Sequence, residues 1–163
     1  MTPLRFGRVE SFIGWLWVGE TDAGVAACSR AESPEGFLDG LRRRFPRSET
    51  EPAALDPGWL GGASRPRLDF TGLSAFDAAV YRIVADIPPG ETLTYGEVAA
   101  MAGSPGAARA VGNAMARCPL FPAVPCHRVV RAADGWSGWG GDVALKRQLL
   151  ESERRAVSSP GPR

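Results

Sequence analysis

Histidine is almost missing from this chain: His127 is the single one in 163 residues. Cysteine is scarce too, with three residues, an odd number. A zinc centre needs about four nitrogen or sulfur ligands, so this thin, scattered supply excludes one. A small odd cysteine count also excludes a disulfide framework and points to a reducing, cytoplasmic compartment. No apolar run reaches the roughly 20 residues of a membrane span, so no membrane partner is expected. The first residues, Met1-Thr2-Pro3-Leu4-Arg5-Phe6, lack a basic stretch followed by an apolar one, and no signal peptide is read there. An excess of either charge is absent as well. Nineteen basic residues face eighteen acidic ones, net +1, so overall charge does not advertise a nucleic-acid partner.

What is present is the composition of a globular protein. Hydrophobic residues make up 44% and charged ones 23%, enough for one or two small domains with a real core. Nearly all the basic residues are arginine, the side chain suited to phosphate and base contacts. Arg109, Arg117, Arg128 and Arg131 follow one another with no acid between Glu97 and Asp134. They form either a solvated face or an anion-binding one.

The first part, residues 1–66, reads as a β-rich unit plus connector. Phe6–Val9, Gly14–Gly19 and Gly24–Cys28 look like short strands separated by turns. Pro34–Phe45 reads as a helix with Phe37, Leu38, Leu41 and Phe45 on one face and Arg42, Arg43 and Arg44 outward. Residues 46–66, rich in Pro, Gly, Ser and Glu, read as connector, and Arg67–Phe70 as one further strand.

The second part is expected over 67–155, with a tail over 156–163. Ser74 is a helix N-cap, and Phe76, Ala79, Val80, Ile83 and Val84 repeat at helical spacing before Pro88-Pro89-Gly90. A short helix follows from Thr94 to Gly103. Ser104-Pro105 then starts a second, Gly106–Arg117. Two short helices around such a turn form a helix-turn-helix candidate, although many helical hairpins bind nothing. The second of them is nearly bare: Ala107, Ala108, Ala110 and Gly112 surround Arg109. It either packs closely on a core or approaches another backbone, such as that of DNA in a groove. Asp134–Gly141 is a glycine-rich loop, and Val143 to about Arg155 is a last helix.

The chemistry concentrates at Pro125-Cys126-His127-Arg128-Val129. A thiol is a good nucleophile only as thiolate, and an imidazole, or a water it polarises, is the usual way to make one. In extended chain the two neighbouring side chains would point apart, which favours a bridging water over direct contact. Glu153 on the last helix is placed to orient the imidazole. The other reading of Cys126 is a buried structural thiol.

This segment resembles the active-site motif of the O6-alkylguanine-DNA alkyltransferases, the methylated-DNA–protein-cysteine methyltransferases. The likeness runs from Phe76 to Glu153. It includes Tyr95-Gly96-Glu97-Val98-Ala99, Ala107-Ala108-Arg109-Ala110-Val111-Gly112, Gly140-Gly141, and Lys146 with Leu149-Leu150 and Glu153. The resemblance implies an α/β (α+β) fold: a small β-rich ribonuclease-H-like unit, then a helical winged-helix-like or helix-turn-helix DNA-binding and active-site domain. It implies double-stranded DNA carrying an alkylated guanine as partner, met through the minor groove by a monomer. It also implies stoichiometric transfer of the alkyl group from O6-alkylguanine, or O4-alkylthymine, to Cys126, with no cofactor and no metal. His127 and Glu153 would activate the thiol, Tyr95 would protonate the leaving base, and Arg109 would fill the vacated stack. Trp139, Val129 and Gly140 would line the pocket, and Arg128 would tie the active-site strand in place.

One position departs from the family. It carries asparagine eight residues before the reactive cysteine, where this chain has Cys118 followed by Pro119. Cys118 is either a packed small side chain or a second thiol near the site. Two rival functions remain open at this level. One is a lesion-binding protein like the family's alkyltransferase-like branch, which lacks the reactive cysteine. The other is an unrelated thiol hydrolase.

Overall fold

The structure is a computed structural model describing residues 3–61, 65–133 and 142–158. Trp139 and Gly140 lie outside the described residues. The chain groups into two compact units, residues 1–74 with 119–123, and residues 75–118 with 124–163.

In the first unit, β1 (Leu4–Ser11), β2 (Gly14–Thr21) and β3 (Gly24–Ser29) form an antiparallel meander. A fourth strand, β4 (Thr50–Pro52), adds parallel to β1, giving the order β3-β2-β1-β4. Helix α1 (Glu35–Arg44) supplies Phe37 and Leu41 to a core with Leu4, Ala26, Ala27 and Phe45. Each large apolar side chain buried this way contributes about 1.5–3 kcal/mol. Gly19 of β2 lets the helix come close, since a Cβ there would stand 3.0 Å from Leu41 Cδ1.

Three expectations change in this unit. Arg44 does not point outward with Arg42 and Arg43. It reaches in and donates to the carbonyls of Ala26, Asp69 (2.9 Å) and Thr71 (3.1 Å). Residues 67–70 are not a strand. One bridge forms, Val25 with Leu68, and Asp69 then turns its carboxylate to Thr21 Oγ1 (2.5 Å) and Thr71 N–H (2.8 Å). Those ties, with Val25 N–H to Arg67 O at 2.8 Å, keep 67–74 in the first unit rather than the second.

The close approach at Val25 needs a glycine beside it. Gly24 has φ +145°, and a Cβ there would fall 2.3 Å from Arg67 O. Gly24→Ala is therefore expected to cost about 1–3 kcal/mol. Gly40→Ala, mid-helix with open space around it, should instead gain about 0.5–1 kcal/mol. Urea denaturation midpoints of the two variants check the pair, and equal midpoints would contradict this account.

The second unit is helical. Helix α2 (Ala75–Ala85) brings Val80, Tyr81 and Val84 into its core. Tyr81 Oη donates to Ala114 O at 2.8 Å, which satisfies the hydroxyl that burial would otherwise strand. Strand β5 (Leu93–Thr94) pairs in parallel with β6 (Val129–Val130). Between them run α3 (Tyr95–Met101) and α4 (Ala108–Ala116), which pack on each other. Thr94 caps α3 in a reciprocal box: its Oγ1 accepts from Glu97 N–H, and Glu97 Oε1 accepts from Thr94 N–H, both at 3.1 Å. Helix α4 starts at Ala108, later than expected. Ser104–Ala107 makes a separate turn, with Ala107 N–H donating to Ser104 O at 2.9 Å. Gly106 explains the delay, since glycine is a poor first-turn residue. Arg117, just past α4, clasps Asp77 of α2 with bonds of 2.8 to 3.2 Å. Helix α5 (Val143–Ser158) runs three residues beyond its expected end near Arg155. No helix among the described residues is long and apolar enough to cross a membrane.

Candidate active site

Pro125 caps a single 3-10 turn, Cys126–Arg128, whose last residue feeds straight into β6. Cys126 N–H donates to Val124 O at 2.8 Å, and Arg128 N–H to Pro125 O at 3.0 Å. The pair Cys126-His127 thus lies in a turn and not in the extended chain that would point the two side chains to opposite sides. At three residues per turn the two side chains diverge by about 120° rather than the half-turn of a strand. The two prolines, Pro122 and Pro125, signal a stiff segment, but the turn itself has no periodic signature in three residues.

His127 is 2% exposed. Its Nε2 lies 2.7 Å from Glu153 Oε1 on α5. The same carboxylate takes two bonds from Arg128, Nε to Oε2 at 3.0 Å and Nη2 to Oε1 at 2.7 Å. Arg128 also donates Nη1 to Ile87 O at 2.7 Å, tying the turn to the chain just past α2. Burial alone would raise the Glu153 carboxyl. The hydrogen bonds and positive charges of His127 and Arg128 outweigh it and hold the group down at about 2. Glu153 is therefore ionised and can only accept. The His127 proton must sit on Nε2, leaving the buried Nδ1 as the basic nitrogen of a neutral ring. Burial pushes the imidazole below its usual range, against the pull of Glu153. A neutral imidazole held by a carboxylate beside a thiol can take a proton.

Cys126 is wholly buried. Burial pushes its thiol well up, and the hydrogen bond and charge of Cys118 add to that. A backbone hydrogen bond and the charge of Lys146 pull it down. Cys118, the position that departs from the family pattern, is thus among the groups that act on the Cys126 thiol.

Lys146 is the chain's single lysine, and it is fully buried. Its Nζ donates to Val129 O at 2.6 Å and lies 5.7 Å from the centroid of the Tyr95 ring. It joins the active-site strand to Tyr95 at the start of α3. In sequence Lys146 belongs to the motif, and its being the one lysine is the signal that sets it apart. Tyr95 packs on α4 at Gly112, where a Cβ would meet the ring at 4.0 Å. Arg109 is exposed on α4, Ala108 opens that helix, and Ala107 is its N-cap. The structure so gathers Cys126, His127, Glu153, Val129 and, through Lys146, Tyr95. Arg109, Ala107, Ala108 and Ala110 lie at the N-terminal end of α4, on the helix whose Gly112 touches Tyr95. Among the described residues no group of three His, Cys, Asp or Glu side chains is placed to hold a metal ion.

A family model described as 6-O-methylguanine DNA methyltransferase, DNA binding domain, matches residues 75–155. A methylated-DNA–protein-cysteine methyltransferase of Mycolicibacterium paratuberculosis is 49% identical over 88 residues, 54% of this chain and 53% of the relative. The regulatory protein Ada of Salmonella typhimurium is 34% identical over 161 residues, covering 92% of this chain and 45% of its own length. The chain spans about half the length of the curated relatives it matches. Among solved structures, a Mycobacterium tuberculosis OGT variant superposes with TM-score 0.71 at 29% identity, covering 99% of this chain and 97% of that one. The same organism's OGT in complex with DNA gives TM-score 0.61 at 28% identity, covering 93% of each chain. The mixed α/β architecture, a four-stranded sheet followed by helices, is that of these OGT structures. The match over residues 75–155, the Cys-His-Arg turn and the Glu153 clasp belong together: the chain is a member of the 6-O-methylguanine DNA methyltransferase family.

Proposed function

We propose that this protein repairs DNA by moving the alkyl group of an O6-alkylguanine onto its own Cys126. The observation that carries the reading is the buried Cys126 followed by His127, with the imidazole locked to Glu153 at 2.7 Å. The alkylated base is inaccessible within the stack, so it must be flipped out. The small residues Ala107, Ala108, Ala110 and Gly112 let α4 approach the minor groove closely, and Arg109 fills the gap the base leaves. Minor-groove contact reads little sequence, which suits a protein that acts wherever a lesion falls.

The Cys126 proton passes through a water to His127 Nδ1, and Glu153 stabilises the imidazolium. The sulfur attacks the alkyl carbon, the C–O6 bond breaks, and Tyr95 protonates the departing guanine. Lys146, 5.7 Å from the Tyr95 ring centroid, offsets the negative charge Tyr95 then carries. The product is a thioether on Cys126. The carbon of a thioether is a poor target for hydrolysis, since a thiolate would have to leave, so each molecule acts once. Trp139 and Gly140 are assigned to the pocket wall through the family motif alone. We read the first unit as ribonuclease-H-like and the second as winged-helix-like. The meander with α1 supports the former, and α3–α4 between the two strands of the β5–β6 ladder supports the latter.

Incubation with a duplex oligonucleotide containing O6-methylguanine tests the proposal by intact mass. One methyl group should appear per chain, on Cys126, and none on Cys126→Ser. Tight lesion binding with unchanged mass would instead make the protein a lesion binder of the alkyltransferase-like kind.

A further inference from the structure

Glu153 is held from two directions, and one short segment touches both. Arg128, which clasps the carboxylate, also donates to Ile87 O at 2.7 Å. Three residues on, Gly90 lies against α5, the helix that carries Glu153. A Cβ built on Gly90 would stand 2.5 Å from Val157 Cγ2 and 3.6 Å from the main-chain oxygen of Glu153 itself. The segment between these contacts is stiff. Pro88 and Pro89 fix their own φ. Gly90 has φ +87°, and Glu91 N–H donates to Pro88 O at 3.1 Å. That is the pattern of a type II turn, which favours glycine at its third position. Val157 follows Glu153 by four residues, so the two share one face of α5. Lys146 and Leu150 are buried on that face ahead of Glu153. Val157 is 65% exposed, so its contact gains little from burial. It marks where the helix stops against the turn.

We infer that residues 87–90 are a positioning element of the active site: bracing Arg128 on one side and α5 on the other, they set how far Glu153 stands from His127, with the bare α-carbon of Gly90 as the seat for Val157. The inference deepens the alkyl-acceptor reading above and rests on it for the effect on transfer. A side chain at position 90 pushes α5 outward, and the 2.7 Å contact between His127 Nε2 and Glu153 Oε1 opens.

Single-turnover methyl transfer from the O6-methylguanine duplex and the imidazole nitrogen signals of His127 test this together. His127 is the one histidine, so in untagged protein those signals need no assignment. In the parent they should show one tautomer, with the proton on Nε2. Gly90→Ala should slow transfer about 10- to 100-fold, the scale of a small misplacement of a working group. Its imidazole should shift toward a mixture of tautomers. Gly90→Asn meets the same methyl group of Val157 but tolerates a positive φ better, so it should fold more stably and be as slow. The decisive variant combines Gly90→Ala with Val157→Ala. Strain in the turn remains there, whereas the methyl group at 2.5 Å is gone. Transfer should then return to within about threefold of the parent, and the single tautomer with it. Parental rates in Gly90→Ala and Gly90→Asn overturn the inference. So does a double variant as slow as Gly90→Ala, which leaves only strain in the turn, or slow transfer with the imidazole signals unchanged. If the parent itself transfers no methyl group, the acceptor reading fails, and the imidazole signals of the variants still decide the positioning.

Discussion

Glu153→Ala should destabilise the protein by about 3–5 kcal/mol at neutral pH, the usual cost of removing one partner from a buried ion pair. The carboxylate serves His127 and Arg128 together, at 2.7 to 3.0 Å. Without it a guanidinium with only 14% of its side chain exposed keeps the Ile87 carbonyl but loses its counter-charge. That is a large share of the stability of a small protein, so Glu153→Gln is the informative companion. Glutamine keeps the volume and can still accept from His127, but it cannot stabilise an imidazolium. It should fold with a smaller loss and still transfer methyl about 10- to 100-fold more slowly in single-turnover experiments. Wild-type rates in Glu153→Gln would remove the carboxylate from the mechanism.

The same clasp fixes the acid limit of the fold. Glu153 is held at about 2, below its ordinary value of 4.5. A depressed carboxyl stabilises the folded state above its unfolded pKa and loses that contribution as pH falls through its folded one. His127, also depressed, works in the same direction, because the unfolded chain takes up its proton first as acid is added. Wild-type stability should therefore fall from about pH 6.5 downward and steeply between 4.5 and 2. Glu153→Gln should show a shallower slope in that lower window when urea midpoints are followed against pH. An unchanged slope would mean the clasp does not set it.

Much of this was legible in the sequence because it depends on local pattern. The apolar spacing of Phe37, Leu41 and Phe45 marked α1, and Phe76 to Val84 marked α2. The Cys-His-Arg run and an acid on the last helix located the clasp. What was not legible depends on where distant chain ends up. Strand β4 is three residues long, ends in Pro52 and has no alternation to read. Arg44 looks like its outward neighbours until the carbonyls of Ala26, Asp69 and Thr71 converge on it. The 3-10 turn at Cys126 is too short for any period. Cys118 is followed by Pro119, Pro122 and Pro125 before Cys126, and nothing in that spacing announces an influence of one thiol on the other.

Arg109→Ala carries the other large expected effect, and the form of the loss identifies the cause. Flipping a nucleotide out of a duplex costs a few kcal/mol. A side chain that occupies the vacated stack recovers part of that. If Arg109 contributes about 2–3 kcal/mol there, its removal slows transfer from a duplex roughly 30- to 150-fold. Arg109 is exposed at the start of α4, so truncation should leave stability within about 0.5 kcal/mol of the parent. In a single-stranded oligonucleotide there is no pair to open and no stacked hole to fill. The variant should then transfer methyl at close to the parental rate. Arg109→Lys, which keeps the charge but not the planar group, should fall between the two on duplex DNA, because phosphate attraction survives and stacking does not. An equal loss on single and double strands would assign Arg109 to general attraction for the backbone. In that case raising the salt should weaken binding by the parent more steeply than binding by the variant. The duplex-to-single-strand ratio thus separates a residue that holds the stack open from one that merely holds DNA.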